Sequence, residues 1–182
     1  KRFRADRKSS GAIFVDRPEM AIHLNNRNQI NIAVQETDSE SRNLVSELMV
    51  YYNHFVAKYC HEHRIPAIFR YQSPPSRAIP KTLPPGPFGW YKISHHLNRA
   101  TITDKAEPHF SLGLGCYVQA TAPLRRYSDL ILQRQVQHFI NTSELLYGAD
   151  EMLLVGQRVT NQVRKLSRLE SARKKYWFLK YL

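Results

Sequence analysis

Thr121-Ala122-Pro123-Leu124-Arg125-Arg126-Tyr127-Ser128-Asp129 is the stretch on which the reading of the fold turns. Pro123 suits the first position of a helix, where a missing N–H costs nothing, with Thr121 or Ala122 as the boundary residue. Leu124, Tyr127, Leu130 and Ile131 recur at helical spacing and predict one apolar face. Arg125 and Arg126 then fall in the first turn, where the helix dipole disfavours cations. Free N–H groups together with two guanidinium groups suit an anion, phosphate first of all. Asp129, four residues after Arg125, is spaced to hold that side chain. A surface helix with ordinary charges is the plainer alternative, but it gives the misplaced arginines no purpose.

Upstream, Phe110 to Val118 leads straight into this stretch. Leu112, Leu114, Cys116 and Val118 alternate with small residues and predict a strand, and Gly113 and Gly115 leave one face open to a backbone or a ligand. Downstream, the helix is expected to run to about Ile140. Gly148 breaks the chain, and Ala149 to Leu182 reads as one long helix. Leu153, Val159, Val163, Leu166, Leu169, Tyr176 and Leu182 are assigned to its buried face. Arg158, Arg164, Lys165, Arg168, Arg173, Lys174, Lys175 and Lys180 make its other side basic, either a solvated face or a nucleic-acid track.

In the first half, residues 1–10 read as a basic loop. Gly11–Val15, Met20–Leu24 and Gln29–Val34 read as short strands, with Asn25–Asn28 as a turn. Glu36, Asp38 and Glu40 invite a metal, but a Thr37–Glu40 capping box explains them better. The helix that follows, Ser39 to His63, carries Leu44, Leu48, Tyr52, Phe55 and Tyr59 on one stripe. Glu47 borders that stripe and is a candidate to point into a site. His61 and His63 stand two apart, which a helix splays, so a metal is not expected there. Residues 72–89 hold six of the ten prolines and read as a semi-rigid connector; Tyr91–Arg99 reads as a short helix. The whole is of the α+β class.

The 182 residues amount to one domain or a piece of one. They carry 27 Lys and Arg against 15 Asp and Glu, a formal charge of +12, which points to a polyanion. Ten tyrosines favour nucleic acid, whose bases stack on rings. No apolar run is long enough to span a membrane. Cys60 and Cys116 form neither a disulfide framework nor a zinc spacing, which suits a reducing compartment. The basic opening and the apolar close at Trp177–Leu182 suggest neighbouring segments on both sides.

Three stretches together resemble the catalytic RNB domain of the ribonuclease II and ribonuclease R exoribonucleases. The most specific is Thr121-Ala122-Pro123-Leu124-Arg125-Arg126-Tyr127-Ser128-Asp129-Leu130 preceded by Tyr117. The second is Val45-Ser46-Glu47-Leu48-Met49 with Asn53 and Ala57, then Ile65 to Arg70. The third is Gly11–Phe14 before Asp16-Arg17-Pro18. Ala122 stands where the family has Ser, and Ser46 where many members have a second Glu.

The resemblance covers nearly the whole chain and implies the C-terminal part of that domain. It implies processive 3′→5′ hydrolysis of single-stranded RNA to nucleoside 5′-monophosphates by a monomeric enzyme. Arg125 would grip the scissile phosphate and Arg126 a neighbouring one. Glu47 would accept hydrogen bonds from the terminal ribose, Phe14 would stack on bases, and Thr121 and Tyr127 would also touch substrate. Magnesium is the implied cofactor. Its aspartate ligands are expected upstream of Lys1, and an RNA-binding OB-fold domain beyond Leu182. The bacterial cytoplasm is the expected compartment, with an organelle as the alternative. Two rival readings stand beside this one: a catalytically inert RNA-binding homologue, and an unrelated basic nucleic-acid-binding module.

Overall fold

A computed structural model describes residues 2–14, 19–25, 29–35, 39–80 and 87–182, and it is of the α+β class. Five helices are described: α1 (Arg2–Ser9), α2 (Glu40–Glu62), α3 (Pro87–His96), α4 (Tyr127–Thr142) and α5 (Ala149–Tyr181). Two antiparallel ribbons accompany them, β1 (Glu19–Leu24) with β2 (Ile30–Gln35), and β3 (Phe69–Tyr71) with β4 (Thr101–Thr103). The first ribbon pairs Ile22 with Ile32, as the alternating pattern requires. The tip of its predicted turn, residues 26–28, lies outside the described residues.

The core forms where α2, α4 and the start of α5 meet the β3 segment. Ala57, Cys60, Val118, Leu132 and Met152 are fully buried there, with Ile68, Phe69, Cys116 and Ile131 around them. Each large side chain of this set contributes roughly 1.5–3 kcal/mol. Gly156 lets α5 seat on β3–β4: a Cβ at this position would lie 3.0 Å from both Ile68 and Ile102. Buried Gln135 on α4 clamps the α4–α5 loop. Its Oε1 accepts from Leu146 N–H (3.1 Å) and Tyr147 N–H (2.8 Å), and its Nε2 donates to Tyr147 O.

Several expectations are corrected. Residues 2–9 are helical rather than a loop. Eight residues are too few for a helix to persist alone; tertiary contacts hold it, with buried Arg7 donating from Nε to Leu112 O at 2.9 Å and Phe3 packed edge-on to Tyr51. Ala12–Phe14 is not a strand; Ala12 N–H closes the end of α1 onto Arg7 O, and Val15 lies outside the described residues. The cap of α2 is Ser39, whose Oγ accepts Arg42 N–H at 3.3 Å; Thr37 of the predicted box lies outside the described residues. Helix α3 begins at Pro87, inside the predicted connector, and stops at His96 rather than Arg99.

The strand predicted over 112–118 is absent. Alternation is real, since Leu114, Cys116 and Val118 are buried, but its β-pairing among the described residues is limited to isolated bridges to Phe69 and His109, while Leu112 O is bonded by Arg7 and Cys116 O by the His54 ring. Gly113 interrupts it in a left-handed conformation (φ 63°), and Arg7 O and Ala12 N come so close that a Cβ would sit 2.8 and 2.9 Å from them. The open face was correctly expected at Gly113, and what fills it is this chain's own backbone.

Two predicted apolar stripes are not buried. Leu44, Leu48, Tyr52 and Phe55 of α2 are exposed, and the helix buries Asn53, Val56, Ala57 and Cys60 instead. Val163, Leu166, Leu169, Tyr176 and Leu182 at the far end of the chain are exposed too.

Candidate nucleic-acid interface

The stretch from Thr121 to Asp129 is a knotted turn. Helix α4 starts at Tyr127, four residues later than Pro123 suggests, and Arg126 is its N-cap residue. Ala122 O accepts the N–H groups of Arg125 (3.2 Å) and Arg126 (2.9 Å), which closes a turn through Pro123. The reason lies in Asp129. Its carboxylate is fully buried, and Oδ2 accepts from Ala122 N–H at 2.9 Å and from Arg126 Nε at 3.0 Å. Arg126 also reaches Oδ2 through Nη2 at 2.7 Å and Thr121 Oγ1 at 3.2 Å. Asp129 therefore holds Arg126, not Arg125 as the spacing suggested. The three-residue interval wins because Arg126 is outside the helix and can fold back.

That leaves Arg125 exposed, without a salt bridge among the described residues. It faces a cleft of about 650 Å³. Arg70, Arg99 and Arg126 line the cleft on one side, and Arg158 and Arg164 of α5 on the other. The exposed ring of Tyr127 also lines it. Burial holds the Arg70 guanidinium below its usual pKa; Tyr117 and Asp129 oppose that, while Arg126 and Arg99 add to it. Arg126 also borders a shallower groove of about 510 Å³ along α2, with Ser46, Asn53, Tyr117 and Thr121.

The chain entering the turn is held rigidly. Asn53 Oδ1 accepts Ala120 N–H at 2.9 Å, and Gln133 Nε2 donates to Ala120 O. Asn53 Nδ2 donates to Tyr117 Oη at 2.9 Å, and burial pushes the Tyr117 phenol above its usual pKa. The ring of His109 packs edge-on against Tyr117. Burial, reinforced by Arg70, lowers His109 to about 4, and its Nδ1 finds no partner among the described residues.

Glu47 and Phe14 lie together in a separate corner with α1. Glu47 Oε2 accepts Arg7 Nη1 at 2.6 Å, and Oε1 lies 3.9 Å from Arg4. The same two arginines sit over the Phe14 ring, 4.6 Å (Arg4) and 5.1 Å (Arg7) from its centre. The structure thus joins Arg125, Arg126, Thr121 and Tyr127 in one place, and Glu47 with Phe14 in another. Sequence reasoning missed Arg70 and Arg99. Alternation in β3 was the available signal for Arg70, because burying Phe69 turns Arg70 to the other face.

Among the described residues no three His, Cys, Asp or Glu side chains cluster to hold a metal. Asp129 and Glu47, the acids beside these features, are each engaged by an arginine, so neither fits magnesium. No helix of the described residues is long and apolar enough to cross a membrane.

The family model for the RNB domain matches residues 1–83 and 91–142; α5 lies beyond that match. An uncharacterized ribonuclease of Synechocystis sp. is 34% identical over 179 residues, 97% of this chain and 27% of that protein. The chloroplastic/mitochondrial ribonuclease II of Arabidopsis thaliana is 28% identical over 91% of this chain and 20% of its own length. This chain thus spans about a quarter of such relatives. The crystal structure of an active-site mutant of the Dss1 exoribonuclease from Candida glabrata matches 99% of this chain with a TM-score of 0.83 at 21% identity, over 25% of that chain. RNase R of Mycoplasma genitalium in complex with ribose-methylated single-stranded RNA matches 97% of this chain, TM-score 0.74, at 19% identity, over 34% of that chain. At these identities the structures bear on the fold, and both likenesses extend through α5.

Proposed function

The chain belongs to the RNB-domain family, and on that premise we propose that it works in a 3′→5′ exoribonuclease that hydrolyses single-stranded RNA processively to nucleoside 5′-monophosphates. Its part is the C-terminal portion of the catalytic domain, and its task is to grip phosphate. The enzyme acts as a monomer, in the bacterial cytoplasm or an organelle. Membership removes the reading of an unrelated basic module.

The observation that carries the proposal is the contrast between adjacent arginines. Arg126 is fixed by Asp129 and Thr121, so it meets a backbone phosphate without first losing side-chain freedom. Arg125 makes no salt bridge among the described residues and grips the scissile phosphate, most strongly as charge builds on its oxygens in the transition state. A planar guanidinium presents two parallel donors to such oxygens, which an ammonium does not. Tyr127 offers an exposed ring to a base. Glu47 Oε2 is committed to Arg7, which leaves Oε1 to accept from a ribose hydroxyl and to separate RNA from DNA. Phe14 stacks on a base through whatever ring surface Arg4 and Arg7 leave open.

Bound magnesium would supply the activated water in this reading. The carboxylates described here do not fit it, so the proposal leaves its ligands to other residues of the intact enzyme. Replacing Arg125 with Ala in the intact enzyme lowers the cleavage rate on the order of 10²–10³-fold while RNA binding survives. Normal turnover by that variant defeats the assignment. A second reading, a catalytically inert RNA-binding homologue, draws on the capture of both Asp129 and Glu47 by arginines. Magnesium-dependent degradation of an RNA with a free 3′ end, absent when that end is blocked, rules it out.

A further inference from the structure

One reacting phosphate needs one or two arginines, and the cleft at Arg125 holds six. Arg70 projects from β3, Arg99 precedes β4, and Arg158 and Arg164 come from the first half of α5. None of these four makes a salt bridge among the described residues. Asp129 is the acid whose charge reaches Arg70, and it is already bound by Arg126 and Ala122. Arg70 is partly buried, with Arg126 and Arg99 repelling it. Converging like charges repel one another, and an anion seated between them would offset that repulsion. A cleft of about 650 Å³ falls within the usual size of a small-molecule site and admits one nucleotide.

The geometry points to a second phosphate site in this cleft, formed by Arg70, Arg99, Arg158 and Arg164, beside Arg125 and distinct from its reacting phosphate. The ligand is a phosphate ester of RNA. This rests on the RNA reading above. Two sources share that chemistry: a phosphodiester of the bound strand, or the 5′-phosphate of a nucleotide after its release. Gly156, which seats α5 against Ile68 and Ile102, also lines the cleft and so joins its two walls.

The test uses the double variant Arg99→Gln/Arg158→Gln, both residues exposed and so tolerant of change. Affinity for a 3′-hydroxyl single-stranded RNA is measured across a salt series in the intact enzyme, and adenosine 5′-monophosphate is titrated separately. The site requires RNA affinity to fall about tenfold at moderate salt. The slope of log affinity against log salt flattens by about 1.4, at ~0.7 for each lost contact to a single strand. Loss of binding to both ligands identifies the released monoester as an occupant. Loss for RNA alone identifies the phosphodiester. Unchanged affinity and slope overturn the site. Should the double variant melt early, Arg164→Gln on the exposed side of α5 replaces it, with half the slope change expected. Arg125→Ala run in parallel separates the two ideas. Intact cleavage in that variant sinks only the exonuclease assignment, and an unaltered salt slope in the double variant sinks only the second site.

Discussion

Two arginine-rich regions of this molecule use the same side chain in opposite ways. In the corner between α1 and α2, Arg7 is buried and spends its guanidinium internally, on Glu47, Leu112 O and the Phe14 ring. In the cleft between β3–β4 and α5, Arg70, Arg99, Arg125, Arg158 and Arg164 make no salt bridge among the described residues. The first arrangement stabilises the fold and the second costs it stability. Arg126 stands at the junction, lining both grooves and fixed by Asp129.

That contrast can be broken deliberately. Asp129→Ala removes the acceptor for a partly buried guanidinium and for Ala122 N–H. Urea unfolding is expected to show a loss of about 3–5 kcal/mol, as for other broken buried pairs. A loss below 1 kcal/mol would mean that the turn does not depend on this carboxylate. Glu47→Gln tests the corner, where a charged hydrogen bond to Arg7 is weakened. The expected cost is about 1.5–3 kcal/mol, whereas Arg125→Ala should leave the denaturation midpoint nearly unchanged. Equal destabilisation by both would erase the distinction between structural and free arginines.

Gly113→Ala strikes the link between the corner and the motif segment. The substituted residue would sit at φ 63° with its Cβ against two backbone atoms, so about 1–3 kcal/mol should be lost, together with amide protection at Ala12. Protection at Ala12 equal to that of the unchanged protein would show the backbone yielding freely there. The last effect is confined to acid pH. His109 titrates near its usual 6.5 when unfolded and at about 4 when folded. Above pH 6.5 both states are neutral and nothing is lost. As pH falls from 6.5 towards 4 the unfolded chain alone takes the proton, so stability declines by at most about 1.4 kcal/mol per unit. His109→Gln should flatten that decline, and an unaltered slope would assign it to other groups.

Much of the fold was legible locally. The β1–β2 ribbon, α2 with its end near His63, and α5 to within a residue all follow from periodicity and stop signals. So does the grouping of Arg125, Arg126, Thr121 and Tyr127, because nine consecutive residues cannot be far apart. What misled was any inference that required knowing the partner. The stripe at Leu44, Leu48, Tyr52 and Phe55 is apolar, yet these residues are exposed while Asn53 is buried to hold Ala120 and Tyr117. Periodicity reports that a face is apolar, not which surface covers it.

By itself, then, the sequence determined the α+β class, the family motif and the excess of positive charge, since each is a property of neighbours along the chain or of a sum over it. Only the tertiary structure decided which charges are free. A guanidinium is structural or available according to whether a carboxylate from elsewhere in the chain arrives beside it. Glu47 reaches Arg7 across 40 residues, Asp129 folds back to Arg126, and no carboxylate among the described residues forms a salt bridge with Arg125. Spacing along a helix assigned Asp129 to the wrong arginine because the helix had not yet begun there. Burial and long-range contact, not residue type, separate the arginines that hold this protein together from those left without a salt bridge among the described residues.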